Sequence, residues 1–375
     1  MKTTMEKLDK NLQAVPLKEG LCFQDVRSTP ARIYGLIEGE YARLPAELRP
    51  LASEKLLILQ NCTSGGRVRF LTDSRRLGLR MLVTDSEGYP HMAYSGYAGI
   101  DCYLGEGPDP KYLGTRWPPL GERLLESEFD LPGTLSLVTL YLPLYTGIEL
   151  LELGLEPGAA LLAPTPYSRE TPIVFYGSSI TQGGCASRSS NSYCALVSRW
   201  LDSDFYCLGF SGSAMGEPWM AEYISQLSMS CFVYDYDYNA PSPDYLRQTH
   251  RPFLQTILDK NPALPVIAMS RPYPNLPGTD GERREIDHGV KVSVPLGHAV
   301  EQHKDCHDRL GQRQCDVLEK LKLRAPVEVS RLPQLRRNRA LKKCPCDDQV
   351  IRNDHGRKDQ RPHRVGQIQV VDHDV

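Results

Sequence analysis

IVFYGSSITQGG, residues 173–184, joins a run of strand formers to a small, polar, glycine-bounded turn. Ile173, Val174, Phe175 and Tyr176 suit a pleated, buried surface, and the turn that follows holds two adjacent serines. For an arbitrary Gly-Ser-Ser an ordinary β-turn is explanation enough. The sharper reading is a serine nucleophile at the C-terminal end of a parallel strand, where open α/β sheets place their chemistry.

The surroundings favour the sharper reading. From residue 171 the pattern alternates strand and helix, with strands expected over 173–176, 205–208, 231–234 and 266–269. Within 244–260, Leu246, Phe253, Leu254, Ile257 and Leu258 recur at spacings that put them on one side of a helix. Such alternation calls for right-handed crossovers and a parallel sheet covered on both faces. The chain before it reads as β. Short alternating segments such as 68–72 and 77–83 are separated by turn clusters at 63–66 and 105–110, and 136–155 continues the pattern with a hairpin turn expected at Thr146-Gly147. Many short strands punctuated this often indicate a sandwich. Proline and alanine thicken between 157 and 166, which marks a linker. The expected organisation is a β-sandwich domain over 1–165, an α/β domain over 171–286 and an atypical tail over 287–375.

Composition narrows the function. A chain of 375 residues is too long for one ordinary core, so two domains fit its size. A net charge of −2 leaves no basic excess to neutralise phosphates, which argues against a nucleic-acid partner. Residues 1–15 hold no apolar signal-peptide core, and no later stretch approaches about 18 uninterrupted apolar residues, so the expectation is a cytoplasmic protein with no membrane segment. Eleven cysteines at irregular spacings read as reduced thiols rather than a disulfide framework. Cys344-Pro345-Cys346 is the one close pair, and without a second pair or suitably spaced histidines it is weak support for zinc. No metal and no organic cofactor is expected.

Three of the expected strands end in residues with chemistry: Gly177-Ser178-Ser179, Gly209-Phe210-Ser211-Gly212 and Asp235-Tyr236-Asp237-Tyr238-Asn239. In a parallel sheet these ends lie along one edge, so a hydroxyl, a glycine amide and an asparagine amide can converge on one carbonyl group. That is equipment for acyl transfer. Ser179 would attack, and the tetrahedral oxyanion would be met by its own backbone N–H, the Gly212 N–H and the Asn239 side-chain NH₂. Asparagine suits the third place because its amide is a neutral donor, whereas an aspartate could only repel the developing charge.

Gly-x-Ser-Ile-Thr, Gly-x-Ser-Gly and a strand-terminal Asn, in that order, resemble the SGNH hydrolases, or GDSL-type esterases. The resemblance implies a flavodoxin-like three-layer α/β/α fold. GIDCYL at 99–104 is similar to the Gly-x-Asp-Leu-Tyr signature, here at 99–103, of the β-sandwich domain that precedes one bacterial branch of that superfamily. YLPLYTGIELLELG (141–154), SRWLDSDFYCLGFSGSAMGEPWMAEYI (198–224) and FVYDYDYNAP (232–241) also look like that branch, and the resemblance extends over roughly residues 15–286. Its register favours Ser179 over Ser178 as nucleophile. Two positions depart from the family: Ser178 stands where Asp is usual, and Ser213 where Asn is expected. A Gly-x-Ser-x-Gly elbow is missing, which argues against an α/β-hydrolase-fold lipase.

Other polar residues have plainer readings. Asp235 and Asp237, at alternating positions, would point to opposite faces and so hydrogen-bond rather than share a metal. Asp101 is expected to cap backbone N–H groups rather than catalyse. His91 and His250 read as surface or satisfied core groups. Arg271 could approach the pocket or mark a solvated strand end.

After Ile286 the resemblance stops. The 89 residues of the tail contain no Phe, Trp or Tyr, although the chain has 30 aromatics, and they hold seven of its nine histidines. Such a stretch lacks the large anchors of a core. It also lacks the Asp-x-x-His that in SGNH enzymes supplies the general base and its orienting acid; Asp305-Cys306-His307 and Asp372-His373 have the wrong spacing. The general base and acid are therefore unassigned. The tail reads as an out-of-frame translation: codons for Ile286-Asp287-His288-Gly289, read one base later, can encode Leu-Ile-Met-Glu, which resembles the helix opening expected there. The alternative is a divergent, basic tail.

The expected function is a serine esterase that hydrolyses a small acyl ester, an acetylated carbohydrate among the candidates, through an acyl-Ser179 intermediate. The competing reading is a non-catalytic carbohydrate-binding protein whose α/β domain is a relic. Nothing in the sequence bears on oligomeric state.

Overall fold

The computed structural model describes residues 16–269, and the expectations for Arg271, for Cys344-Pro345-Cys346 and for the tail fall outside them. The first part of the described chain forms two antiparallel sheets. In chain order the strands are β1 (Cys22–Asp25), β2 (Arg32–Tyr34), β3 (Arg67–Thr72), β4 (Arg76–Val83), β5 (Ile100–Leu104), β6 (Lys111–Arg116), β7 (Leu124–Asp130), β8 (Ser136–Tyr141), β9 (Ile148–Leu155) and β10 (Leu161–Leu162). One sheet runs β1-β9-β4-β7 and the other β10-β3-β8-β5-β6, with β2 also on β3. Alternation does what it should. Leu77, Leu79, Met81 and Val83 of β4 are fully buried and meet Val68, Phe70, Val138 and Leu140 of the facing sheet in one apolar cluster.

Thr146-Gly147 does not close a hairpin. β8 belongs to one sheet and β9 to the other, so residues 142–147 carry the chain across the sandwich. The Thr63 N–H donates to Thr146 O at 3.2 Å and the Thr84 N–H to Gly147 O at 3.0 Å, which fastens the crossing to the segments beside β3 and β4. Period-two alternation looks the same on either side of a turn and of a sheet switch, so the pattern alone cannot separate them.

The later strands are β11 (Arg169–Gly177), β12 (Ser203–Gly209), β13 (Cys231–Asp235) and β14 (Val266–Ala268), paired in parallel in the order β12-β11-β13-β14. This is the beginning of the flavodoxin-like doubly wound order. Gly177 registers with Gly209 on one side and Asp235 on the other, so the three strands end level. The helices, in chain order, are α1 (Glu54–Gln60), α2 (Tyr94–Tyr97), α3 (Ser179–Gln182), α4 (Tyr193–Leu201), α5 (Pro218–Ser225) and α6 (Pro243–Lys260). Tyr193, Cys194 and Val197 of α4 pack on Phe175, Phe205 and Val233. On the other face Met220 and Ile224 of α5 and Leu246, Phe253, Leu254 and Ile257 of α6 pack on Val174, Tyr176, Phe232 and Tyr234. The sheet is thus covered on both faces, as a parallel sheet must be.

That second core has members from far upstream. Leu44, Leu56, Leu59 and Cys62 are buried in it, so the segment around α1 completes the α/β core although the sandwich strands surround it in sequence. Among the described residues no helix is long and apolar enough to cross a membrane.

Candidate active site

β11 delivers the chain to two serines in different circumstances. Ser178 is fully buried and caps α3: its Oγ accepts from the Ile180 N–H at 3.3 Å, and its own N–H donates to Asp235 O at 3.1 Å. Ser179, the first residue of α3, is half-buried, and among the described residues its hydroxyl makes no hydrogen bond. Only the second serine is open to a substrate.

The loop after β12 folds back over α3. Phe210 N–H donates to Gly177 O at 2.9 Å, and Ser213 and Ala214 N–H both donate to Phe210 O, at 3.0 and 3.2 Å. Ser211 N–H donates to Gln182 Oε1 at 2.9 Å. Gly209 permits this approach, since a Cβ there would stand 2.2 Å from the Gln182 nitrogen. Gly212, at φ +59°, sits exposed at the tip in the left-handed region that favours glycine. Neither its N–H nor that of Ser179 has a hydrogen-bond acceptor among the described residues.

Asn239 closes a single 3₁₀ turn, Asp237–Asn239, that follows β13. Its NH₂ donates to Phe210 O at 3.1 Å and Ala214 O at 3.0 Å, so it clamps the loop that carries Gly212. Ser213, in the place where Asn was expected, is buried inside the same loop and donates to Ser211 O at 3.4 Å. The reading of Asp235 and Asp237 as alternating strand positions fails, because β13 ends at Asp235 and the next residues turn. Both are buried, and Asp235 accepts from the Thr181 hydroxyl at 3.3 Å, which ties β13 to α3.

Two buried side chains that no motif announced hold the arrangement. Gln182 donates through Nε2 to Leu144 O at 3.1 Å while its Oε1 takes the Ser211 N–H, and Ser64 Oγ donates to its carbonyl at 2.6 Å. Arg43 donates to Cys207 O at 3.2 Å, to Gly209 O and, at 2.6 Å, to Leu59 O, with its guanidinium 4.4 Å above the Phe210 ring. Burial pushes the Arg43 guanidinium below its ordinary range. Gln182 lay inside the quoted stretch and one helical turn after Ser179, a spacing that could have flagged it. Arg43 and Tyr145, whose hydroxyl donates to Ser179 O at 3.2 Å, come from the sandwich half and carry no local signal.

Asp101 belongs to a docking contact. It lies on β5 rather than in a turn, fully buried, and accepts from the Ser190 N–H at 2.7 Å and the Thr115 hydroxyl at 2.5 Å. Tyr103, two residues on, is 3.0 Å from Ser190 Oγ through its hydroxyl. Burial raises the Asp101 carboxyl above the usual carboxylate range, opposed by those hydrogen bonds and by Arg188. The histidines are elsewhere: His91 stacks on exposed Tyr89, and His250 is buried against Tyr234 with its ring centroid 4.3 Å away, where burial pushes its pKa down to about 3.

Residues 170–276 match the GDSL-like Lipase/Acylhydrolase family, and residues 23–161 match the GxDLY family, the N-terminus of SGNH-hydrolase-type esterases. Through these two matches the chain is similar to the GDSL-like, or SGNH, hydrolases. By that resemblance it is a carboxylic ester hydrolase, an α/β domain behind a β-rich one. Among solved structures the chain is similar to a GDSL-like lipase from Bacteroides ovatus, at 23% identity over 81% of this chain and 85% of that chain with a TM-score of 0.66. It is also similar to a salicylyl-acyltransferase from a tetracycline biosynthetic pathway, at 22% identity over 74% of this chain and 81% of the other with a TM-score of 0.60. At such identities the likeness is one of fold. No curated protein matches the chain in sequence.

Proposed function

We propose that the protein hydrolyses small acyl esters through an acyl-Ser179 intermediate. The observation that carries this reading is that the backbone N–H groups of Ser179 and Gly212 have no acceptor among the described residues, at strand ends that finish level and beside the half-buried Ser179 chain segment. Such donors cost no reorganisation when charge develops on the carbonyl oxygen. Ser179 Oγ attacks the ester carbon while the two N–H groups and one Asn239 hydrogen hold the oxyanion, the acyl C–O bond breaks and the alcohol leaves with the serine proton, and water then attacks the acyl carbon, releasing the acid and returning a proton to Ser179 Oγ. An acetylated carbohydrate is a candidate substrate. A fluorophosphonate probe on the chain with its frame restored after codon 286 tests the assignment. Ser179→Ala abolishes labelling and Ser178→Ala retains it; labelling that survives Ser179→Ala sinks the reading.

Asn239 serves the oxyanion by holding the Gly212 loop and by giving one hydrogen from a loop carbonyl to the developing charge. In the same frame-restored chain Asn239→Ala lowers kcat by about 10²-fold with little change in KM. Steady-state kinetics on p-nitrophenyl acetate check this, and an unchanged kcat removes Asn239 from the site.

A further inference from the structure

Lys55 stands at the rim of the candidate site on a rigid support. Leu56 and Leu59 of α1 are buried in the same core as Phe210 and Ala214, and Ser53 Oγ caps the helix by accepting the Leu56 N–H at 3.3 Å. Lys55 is on the exposed side, and its Nζ is 2.7 Å from the point where a Cβ on Gly212 would be. One carbon–carbon bond of about 1.5 Å separates that point from the Gly212 Cα, so the ammonium lies against the backbone whose N–H has no acceptor among the described residues. Among the described residues Lys55 has no carboxylate partner. The sandwich half therefore places a positive charge beside a group of neutral donors.

We propose, on the basis of the acyl-Ser179 reading above, that Lys55 makes the site selective for half-esters of dicarboxylic acids. An oxyanion held by the Gly212 N–H at about 2.9 Å puts a carboxylate two or three carbons along the acyl chain within reach of an ammonium so close to the same residue. A lysine ammonium is a compact point charge on a flexible stem, suited to one small anion whose exact direction varies. Its exposure fits this task better than oxyanion binding. A charge that must reward only the transition state is kept dry, whereas a charge that selects among substrates meets them at the entrance.

Equilibrium binding to the full chain tests the proposal without relying on turnover. The probes are N-phenylsuccinamic acid, an amide counterpart of a half-ester, and its neutral primary amide, titrated by calorimetry at low salt. The acid binds at least about tenfold more tightly than the amide, and the ratio falls as salt screens the charge. Lys55→Met brings the ratio to about one, Lys55→Arg preserves a preference, and Lys55→Glu inverts it. A wild-type ratio near one, a preference that survives Lys55→Met, or no binding of either probe overturns the proposal. Ester hydrolysis measured alongside on the frame-restored chain separates the two readings: a Lys55-dependent charge preference without any Ser179-dependent hydrolysis overturns the esterase mechanism and leaves the anion subsite standing.

Discussion

Reading the gene one base later after codon 286, in the frame we propose, raises ester hydrolysis by about 10³-fold or more over the chain as written. A serine hydroxyl at its free pKa is a weak nucleophile and needs an adjacent base. Among the described residues the two histidines are elsewhere, His250 in the core with its pKa near 3 and His91 stacked on Tyr89. The seven histidines after residue 286 include no Asp-x-x-His. The chain as written then retains what oxyanion donors and binding supply, on the order of 10³-fold over water. Hydrolysis of p-nitrophenyl acetate by the two versions side by side checks this. Comparable rates would mean that a histidine of the tail reaches Ser179, and the out-of-frame reading would fall. An unambiguous in-frame read of the gene around codon 286, with related genes sharing the tail, would sink it independently.

Arg43→Met lowers the unfolding free energy by about 3 kcal/mol, from three carbonyls left without their charged donor at about 1 kcal/mol or more each. Cys207 O, Gly209 O and Leu59 O lose their guanidinium hydrogens, and the methionine keeps enough bulk to limit the cavity. The melting temperature falls by roughly 6–12 °C. Lysine does not rescue it, because one ammonium cannot span carbonyls from β12 and α1 at once. Differential scanning calorimetry on the three proteins decides: a change under about 1 °C for Arg43→Met would show that the guanidinium is dispensable. The same variant loosens the strand end that leads to Gly212, so activity falls with stability.

The α/β half was legible because its signals are local. Hydrophobic runs of four residues marked β11, β12 and β13, and the level ends of three parallel strands follow from pairing register, so Ser179, Gly212 and Asn239 could be placed on one edge before any coordinates. Where the reading stopped, the information is not local. Nothing near Arg43 or Lys55 shows that α1 packs beside Phe210 rather than inside the sandwich. Thr146-Gly147 has turn residues, yet which sheet β9 joins depends on β1 and β4, far away in sequence. Asp101 was rightly expected to take a backbone N–H, but the donor, Ser190, lies in the other half of the chain. Even Asn239, legible by position, shows a second occupation, holding Phe210 O and Ala214 O, that only geometry displays.

The burial of Leu44, Leu56 and Leu59 among residues of α5 and α6 has a consequence for synthesis on the ribosome. The segment that carries them is translated first, and its seat is complete only when Ala268 has emerged. At about 5–20 residues per second that is a wait of roughly 10–40 s. Throughout it an apolar helix face is tethered to a sandwich that can already have folded, and it is open to chaperones or to another nascent chain. The two halves therefore do not mature as independent modules. A hydrolase fragment started at residue 171 would be made without part of its own interior, and supplying residues 16–165 as a separate polypeptide should restore folding, whereas the same piece lacking residues 41–62 should not.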